Sequence, residues 1–143
     1  MKKLLLLFAV LLTAMISANA QSPTAVSSTS DNTVKAGDSF TVTVNITKMD
    51  LSCFAQYQQK MPEGFTATEI SGASDNANFY FENGKVQYQW YKLPIDRSDI
   101  ILRYNVKVDS KLAAGKYQFP GFFSYQYNNR LGQVDTQLTI EVK

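Results

Sequence analysis

The sequence predicts an all-β protein, a two-sheet antiparallel sandwich of about nine strands. Apolar and polar residues alternate with period two over most of the chain, the mark of half-buried strands. Turn residues interrupt that alternation about every 8–12 residues, the spacing of sandwich strands. No stretch shows a 3.6-residue helical period.

The first twenty residues stand apart. Lys2-Lys3, the apolar run Leu4 to Ile16 and the small-residue signature Ala18-Asn19-Ala20 form the three parts of a secretory leader. The expected division is therefore a signal peptide over 1–20 and one β-sandwich domain over 21–143. Gln21, not cysteine, follows the cleavage signature, which argues against a lipid anchor. Export to a bacterial periplasm or the extracellular space is the expectation.

The strands follow in order. Residues 21–32 are Ser/Thr-rich, with an edge strand around Thr24 to Ser28. Ala36-Gly37-Asp38 turns into a strand whose Phe40, Val42, Val44 and Ile46 face inward. Cys53, Ala55 and Tyr57 alternate with Phe54, Gln56 and Gln58 until Pro62-Glu63-Gly64. Phe65 to Ser71 is a shorter strand ending at Gly72.

Asn83-Gly84 is the sharpest local signal. Both residues accept the positive φ of a type I′ turn, whose twist matches paired strands. A two-residue loop sets Glu82 opposite Lys85, Phe81 opposite Val86 and Phe79 opposite Tyr88. Phe79, Phe81, Val86, Tyr88 and Trp90 then share the dry face, and Tyr80, Glu82, Lys85, Gln87, Gln89 and Tyr91 the wet one. Opposite charges meet outside and aromatics inside, so the register is self-consistent.

Leu93-Pro94 ends this hairpin. Ile100, Leu102, Tyr104, Val106 and Val108 mark the next strand. After Ala114-Gly115 comes a long strand with Phe119, Phe123, Tyr125 and Tyr127 on one side and Phe122, Ser124 and Gln126 on the other. Pro120-Gly121 within it implies a bulge or an edge position. Asn128-Asn129 precedes the last strand, with Thr136, Leu138, Ile140 and Val142 inward.

Composition narrows the function. Lys2 and Lys3 belong to the leader, leaving twelve cations against twelve anions in the mature chain. Nucleic-acid binders need clustered cations, so no nucleic-acid partner is expected. No second apolar run approaches the roughly 18 residues of a membrane span. The chain has no histidine and a single cysteine, Cys53, which is expected to be a small buried hydrophobe. Without histidine the usual general base is missing, and no phosphate-cradling loop occurs. Asp96 with Asp99, or Glu63 with Glu69, offer carboxylate pairs, but they lie in loop and turn surroundings. Asp75-Asn76-Ala77-Asn78 supplies oxygens without the spacing of a calcium loop, and turn chemistry accounts for it better. Asn45-Ile46-Thr47 fits a glycosylation triplet in an unpromising strand position. The expectation is a non-enzyme with no cofactor and no metal site.

One surface does stand out. The outward positions of three strands are uncharged and amide-rich: Gln56 and Gln58, Gln87 and Gln89, Ser124 and Gln126. Tyr80, Tyr91, Phe54 and Phe122 share that parity. Rings contribute rigid area, and amides donate and accept hydrogen bonds without a charge-desolvation cost. The candidate binding residues are Gln56, Gln58, Tyr80, Gln87, Gln89, Tyr91, Phe122 and Gln126.

Two segments carry a resemblance. The run Val34-Lys35-Ala36-Gly37-Asp38-Ser39-Phe40-Thr41-Val42 resembles the opening of cohesin-like modules, and Leu112-Ala113-Ala114-Gly115-Lys116-Tyr117 resembles a late turn and strand of the same fold. These sandwiches are related to certain cellulose-binding modules, and the pattern spans nearly the whole mature chain, within an Ig-like class. The resemblance implies a non-catalytic module that holds a dockerin on the outer face of one sheet. In that fold the sheet contains the third, fifth, sixth and eighth strands, which map to Cys53–Lys60, Asn78–Glu82, Lys85–Tyr91 and Lys116–Asn128. No dockerin-like repeat occurs here, and no family contact residue transfers. Three readings stay open: docking of a protein partner, binding of a polysaccharide on Tyr80, Tyr91 or an exposed Trp90, and a structural part in an envelope assembly.

Overall fold

The computed structural model describes residues 22–143, so the secretory-leader reading lies outside the described residues. Alternating side chains there become ten strands: β1 (Thr24–Thr29), β2 (Thr33–Val34), β3 (Ser39–Thr47), β4 (Ala55–Lys60), β5 (Phe65–Glu69), β6 (Asn78–Glu82), β7 (Lys85–Trp90), β8 (Asp99–Val108), β9 (Gly115–Tyr127) and β10 (Arg130–Val142). They form two sheets, one ordered β1-β3-β8-β5 and the other β2-β10-β9-β4-β7-β6. The all-β sandwich is as expected. The tenth strand is β2, a two-residue segment pairing parallel to the end of β10, too short to leave a periodic signal.

The core forms where the two inner faces meet. Val42, Val44, Leu102, Tyr104 and Val106 from one sheet, and Tyr57, Val86, Tyr88, Phe119 and Phe123 from the other, are fully buried. Phe65 crosses between the sheets to meet the Phe119 ring edge-on at 4.8 Å. Burial of such a ring layer is the main favourable contribution to folding. Trp90 joins this layer at 2 % exposure, against Phe123.

Both hairpins of the larger sheet have the turn chemistry they need. Asn83 and Gly84 hold φ of 52° and 69°, and Glu82–Lys85, Phe81–Val86 and Phe79–Tyr88 are cross-strand partners. Asn128 and Asn129 likewise hold φ of 50° and 57°, and Tyr127 pairs with Arg130. This two-residue turn returns β10 antiparallel alongside β9. The four strands implied by the resemblance are therefore contiguous, in the order β9-β4-β7-β6, but β10 and β2 extend their sheet on the far side of β9.

The β9–β10 ladder runs unbroken from Gly115–Val142 to Tyr127–Arg130, so Pro120-Gly121 makes no bulge there. The β4–β9 ladder ends at Gln59–Gly121, which leaves Pro120 at a local edge. Gly121 is needed for a different reason. A Cβ there would lie 2.6 Å from Thr136 Oγ1 and 2.9 Å from the Tyr57 hydroxyl, two groups that hydrogen-bond to each other at 3.1 Å.

Candidate functional site

Register decides which side chains meet on the outer face of the larger sheet. Gln56 lies between Gln89 and Ser124, and Gln58 between Gln87 and Phe122. On the next strand Tyr80 pairs with Gln87 and Asn78 with Gln89. Two rows thus cross the sheet, Tyr80-Gln87-Gln58-Phe122 and Asn78-Gln89-Gln56-Ser124. Gln87 Nε2 donates to Gln58 Oε1 at 3.2 Å, so these amides are partly oriented before any partner arrives.

The rings flank the amides. Tyr80 is 48 % and Phe54 43 % exposed. Tyr91, one residue beyond β7, is 86 % exposed. The Gln126 N–H donates to the Phe54 carbonyl at 3.0 Å, which carries the β4–β9 pairing one step past the strand end. All eight candidate residues fall at outward positions of this one sheet or just past its end. Ser124 shares their parity, yet it is buried among its neighbours.

Sequence reasoning passed over several features. On β10, Leu131 pairs with Gln126, Gln133 with Ser124 and Asp135 with Phe122, so the face is wider than four strands. Leu131 is 76 % exposed. Gln59, inward-facing, is fully buried; its Nε2 donates to the Phe119 carbonyl at 3.1 Å, and it accepts the Tyr104 hydroxyl. Lys48 is also buried, with Nζ donating to the carbonyls of Leu51 at 2.8 Å and Met49 at 3.2 Å. Parity marks Gln59 as inward, whereas nothing local marks Lys48.

Among the described residues, three tyrosines whose hydroxyls depart from their ordinary value lie on the inner face, opposite the amides and rings. Burial pushes the Tyr57 hydroxyl up to about 12. Burial, helped by the nearby Glu69 charge, also raises Tyr88, and burial raises Tyr104. Each stays protonated at neutral pH and is hydrogen-bonded, Tyr88 donating to the Arg103 carbonyl at 3.1 Å. Cys53 is partly buried against the core, and burial pushes its thiol up.

The polar loop around Asp75 has a structural occupation. Its Oδ1 accepts Arg97 at 2.6 Å, its Oδ2 accepts the Ile101 N–H at 3.0 Å, and its carbonyl accepts Trp90 Nε1 at 3.0 Å. Asp75 and Asn76 hold positive φ, in keeping with turn chemistry. The carboxylate pairs weighed for hydrolysis are exposed at Asp96, Asp99, Glu63 and Glu69. Asp99 accepts the Thr47 hydroxyl at 2.8 Å.

No family model matches the chain, and no curated protein matches it in sequence. Solved structures do. A non-cellulosomal cohesin from the hyperthermophilic archaeon Archaeoglobus fulgidus superposes with a TM-score of 0.61 at 13 % identity, covering 85 % of this chain and 91 % of the cohesin. The third ScaC cohesin of Acetivibrio cellulolyticus, solved with the ScaB dockerin, gives 0.59 at 20 % identity over 84 % and 98 %. The N-terminal domain of the Streptococcus gordonii adhesin Sgo0707 gives 0.64 at 14 % identity over 87 % of this chain and 33 % of that one. The two-sheet sandwich built by this sequence is a cohesin-like fold.

Proposed function

We propose that the protein is a non-enzymatic, exported binding module that docks a protein partner on the outer face of β9-β4-β7-β6. The observation that carries this reading is the neutral block of amides, Gln56, Gln58, Gln87 and Gln89, flanked by exposed Phe54, Tyr80 and Tyr91. Such a surface offers hydrogen bonds and rigid ring area with little cost of stripping water from charge. Cohesins solved with dockerins support a docking role for the fold.

The test substitutes Tyr80→Ala and Tyr91→Ala together. Capture of a partner from envelope extract is expected to fall at least about tenfold, while surface truncation leaves stability within about 0.5 kcal/mol. A large loss of stability, or unchanged capture, overturns the reading. A glycan array run in parallel separates a polysaccharide ligand. Trp90 is in the core, so only tyrosine and phenylalanine rings remain to stack a sugar. A second reading, a part in an envelope assembly, draws on the open edge strand β6 and on the adhesin and pilin structures of similar fold. An added partner strand on β6 is its signature, and a proline at Phe81, whose N–H faces away from β7, would block it by removing an edge N–H.

A further inference from the structure

We infer that the outer face is polarised along its strands and fits a protein segment with a carboxylate at one end and a large apolar side chain at the other. The inference rests on the docking reading above and adds the chemistry of the partner.

The cationic end is built from like charges. Lys60 and Lys85 are direct cross-strand partners, and both are exposed. Like charges in that position disfavour the sheet, and an added anion between them relieves the repulsion. Among the described residues the ion pairs are those of Arg97 with Asp75 and Asp96; neither lysine takes part. Glu82 is the partner of Lys85 on β6, so the corner keeps one net positive charge.

Lys60 also stands where the sheet opens. The next position on β9 beyond the Gln59–Gly121 pair is Pro120, which has no N–H to continue the ladder. A hollow of about 420 Å³ lies there, bordered by Gln58, Lys60, Pro120, Phe122, Asp135 and Gln137. Asp135 forms its far wall, held by Gln133 Nε2 at 2.8 Å. Its charge repels an incoming carboxylate from that side and favours the Lys60–Lys85 side.

The opposite end is apolar. Phe54, Tyr91 and Leu131 are exposed there. Phe54 is six residues before Lys60 along the chain, about 20 Å at roughly 3.3 Å per residue. The outward positions of β4 and β7 in between are the amides Gln56, Gln58, Gln87 and Gln89. The apolar and acidic groups of the partner segment should therefore stand about 20 Å apart.

A library of random 20-residue peptides displayed on phage tests this. Selection is on the wild-type protein, with counter-selection on a Gln58→Tyr, Gln87→Tyr variant that obstructs the middle of the face without adding charge. Peptides that need the face are expected to carry Asp or Glu distant from an aromatic or aliphatic residue. Their affinity should fall about tenfold in Lys60→Gln, Lys85→Gln, and should weaken as salt is raised with the wild-type protein, a readout that needs no variant. Reselection on Lys60→Glu, Lys85→Glu should replace the acids by Lys or Arg. Face-dependent peptides without an acid preference, or acidic ones insensitive to both lysine changes and salt, overturn the polarity and leave the docking face standing. A selection that yields no face-dependent peptide overturns both.

Discussion

Gln59 shows how one residue ties the sheets together. It sits on β4 in the larger sheet, yet accepts a hydrogen bond from Tyr104 on β8 in the smaller one, and donates to β9. A buried amide is tolerated because both of its ends are satisfied. Removing it strands the Tyr104 hydroxyl in the buried core and takes one donor from the Phe119 carbonyl. Gln59→Ala is expected to cost about 2–4 kcal/mol, read as a shift in the urea midpoint. Tyr104→Phe in the same chain should recover part of that loss, because it removes one stranded group. Additive losses would show that the two side chains do not depend on each other. The inward position of Gln59 follows from the alternation of Ala55 and Tyr57, but its partner lies 45 residues away. No spacing rule reveals such a partner.

The hairpins show where local sequence is sufficient. The Asn83-Gly84 turn demands positive φ at both residues, and that requirement sets the register of β6 against β7. Asn83→Val, forcing a β-branched residue into the left-handed region, should destabilise by about 1–2 kcal/mol, and Asn83→Gly should be nearly neutral. Equal losses from both would mean that the Asn side chain, not the backbone angle, matters; chemical denaturation distinguishes the two. The same turn chemistry at Asn128-Asn129 brings β10 into the sheet of β9. The family pattern, applied strand by strand, did not include β10 there, although the paired asparagines already allow a two-residue hairpin. Position also explains Pro120. The residue is compatible with strand β9 because the β4 ladder ends one step before it, a fact invisible without the neighbouring strand.

At the scale of the whole molecule, three buried tyrosines make the sandwich sensitive to alkali. Tyr57 rises from 10.0 to about 12 in the folded protein, and Tyr88 and Tyr104 are raised as well. Between those values the unfolded chain loses tyrosine protons while the native chain keeps them, so stability falls as pH rises. The contribution is complete below pH 10 and is lost on the way to about pH 12. Thermal melts at pH 8, 10 and 11.5 should show little change and then a steep decline, with ionisation at 295 nm of three of the eight tyrosines appearing together with unfolding. Ionisation of all eight ahead of unfolding would place the three buried hydroxyls in contact with water.

The alternating pattern by itself determined the all-β class, the inward and outward faces, the β6–β7 register and the set of outward amides and rings. These are local consequences of a pleat with period two and of turn residues that admit positive φ. Tertiary structure alone decided that strands distant in sequence lie side by side, so that Gln87 reaches Gln58 and Lys60 confronts Lys85. It also decided that Lys48 and Gln59 are buried with their polar atoms satisfied. The physical reason is that alternation specifies which side of a sheet a residue faces, whereas neighbours across strands depend on chain topology and on core packing summed over the whole domain.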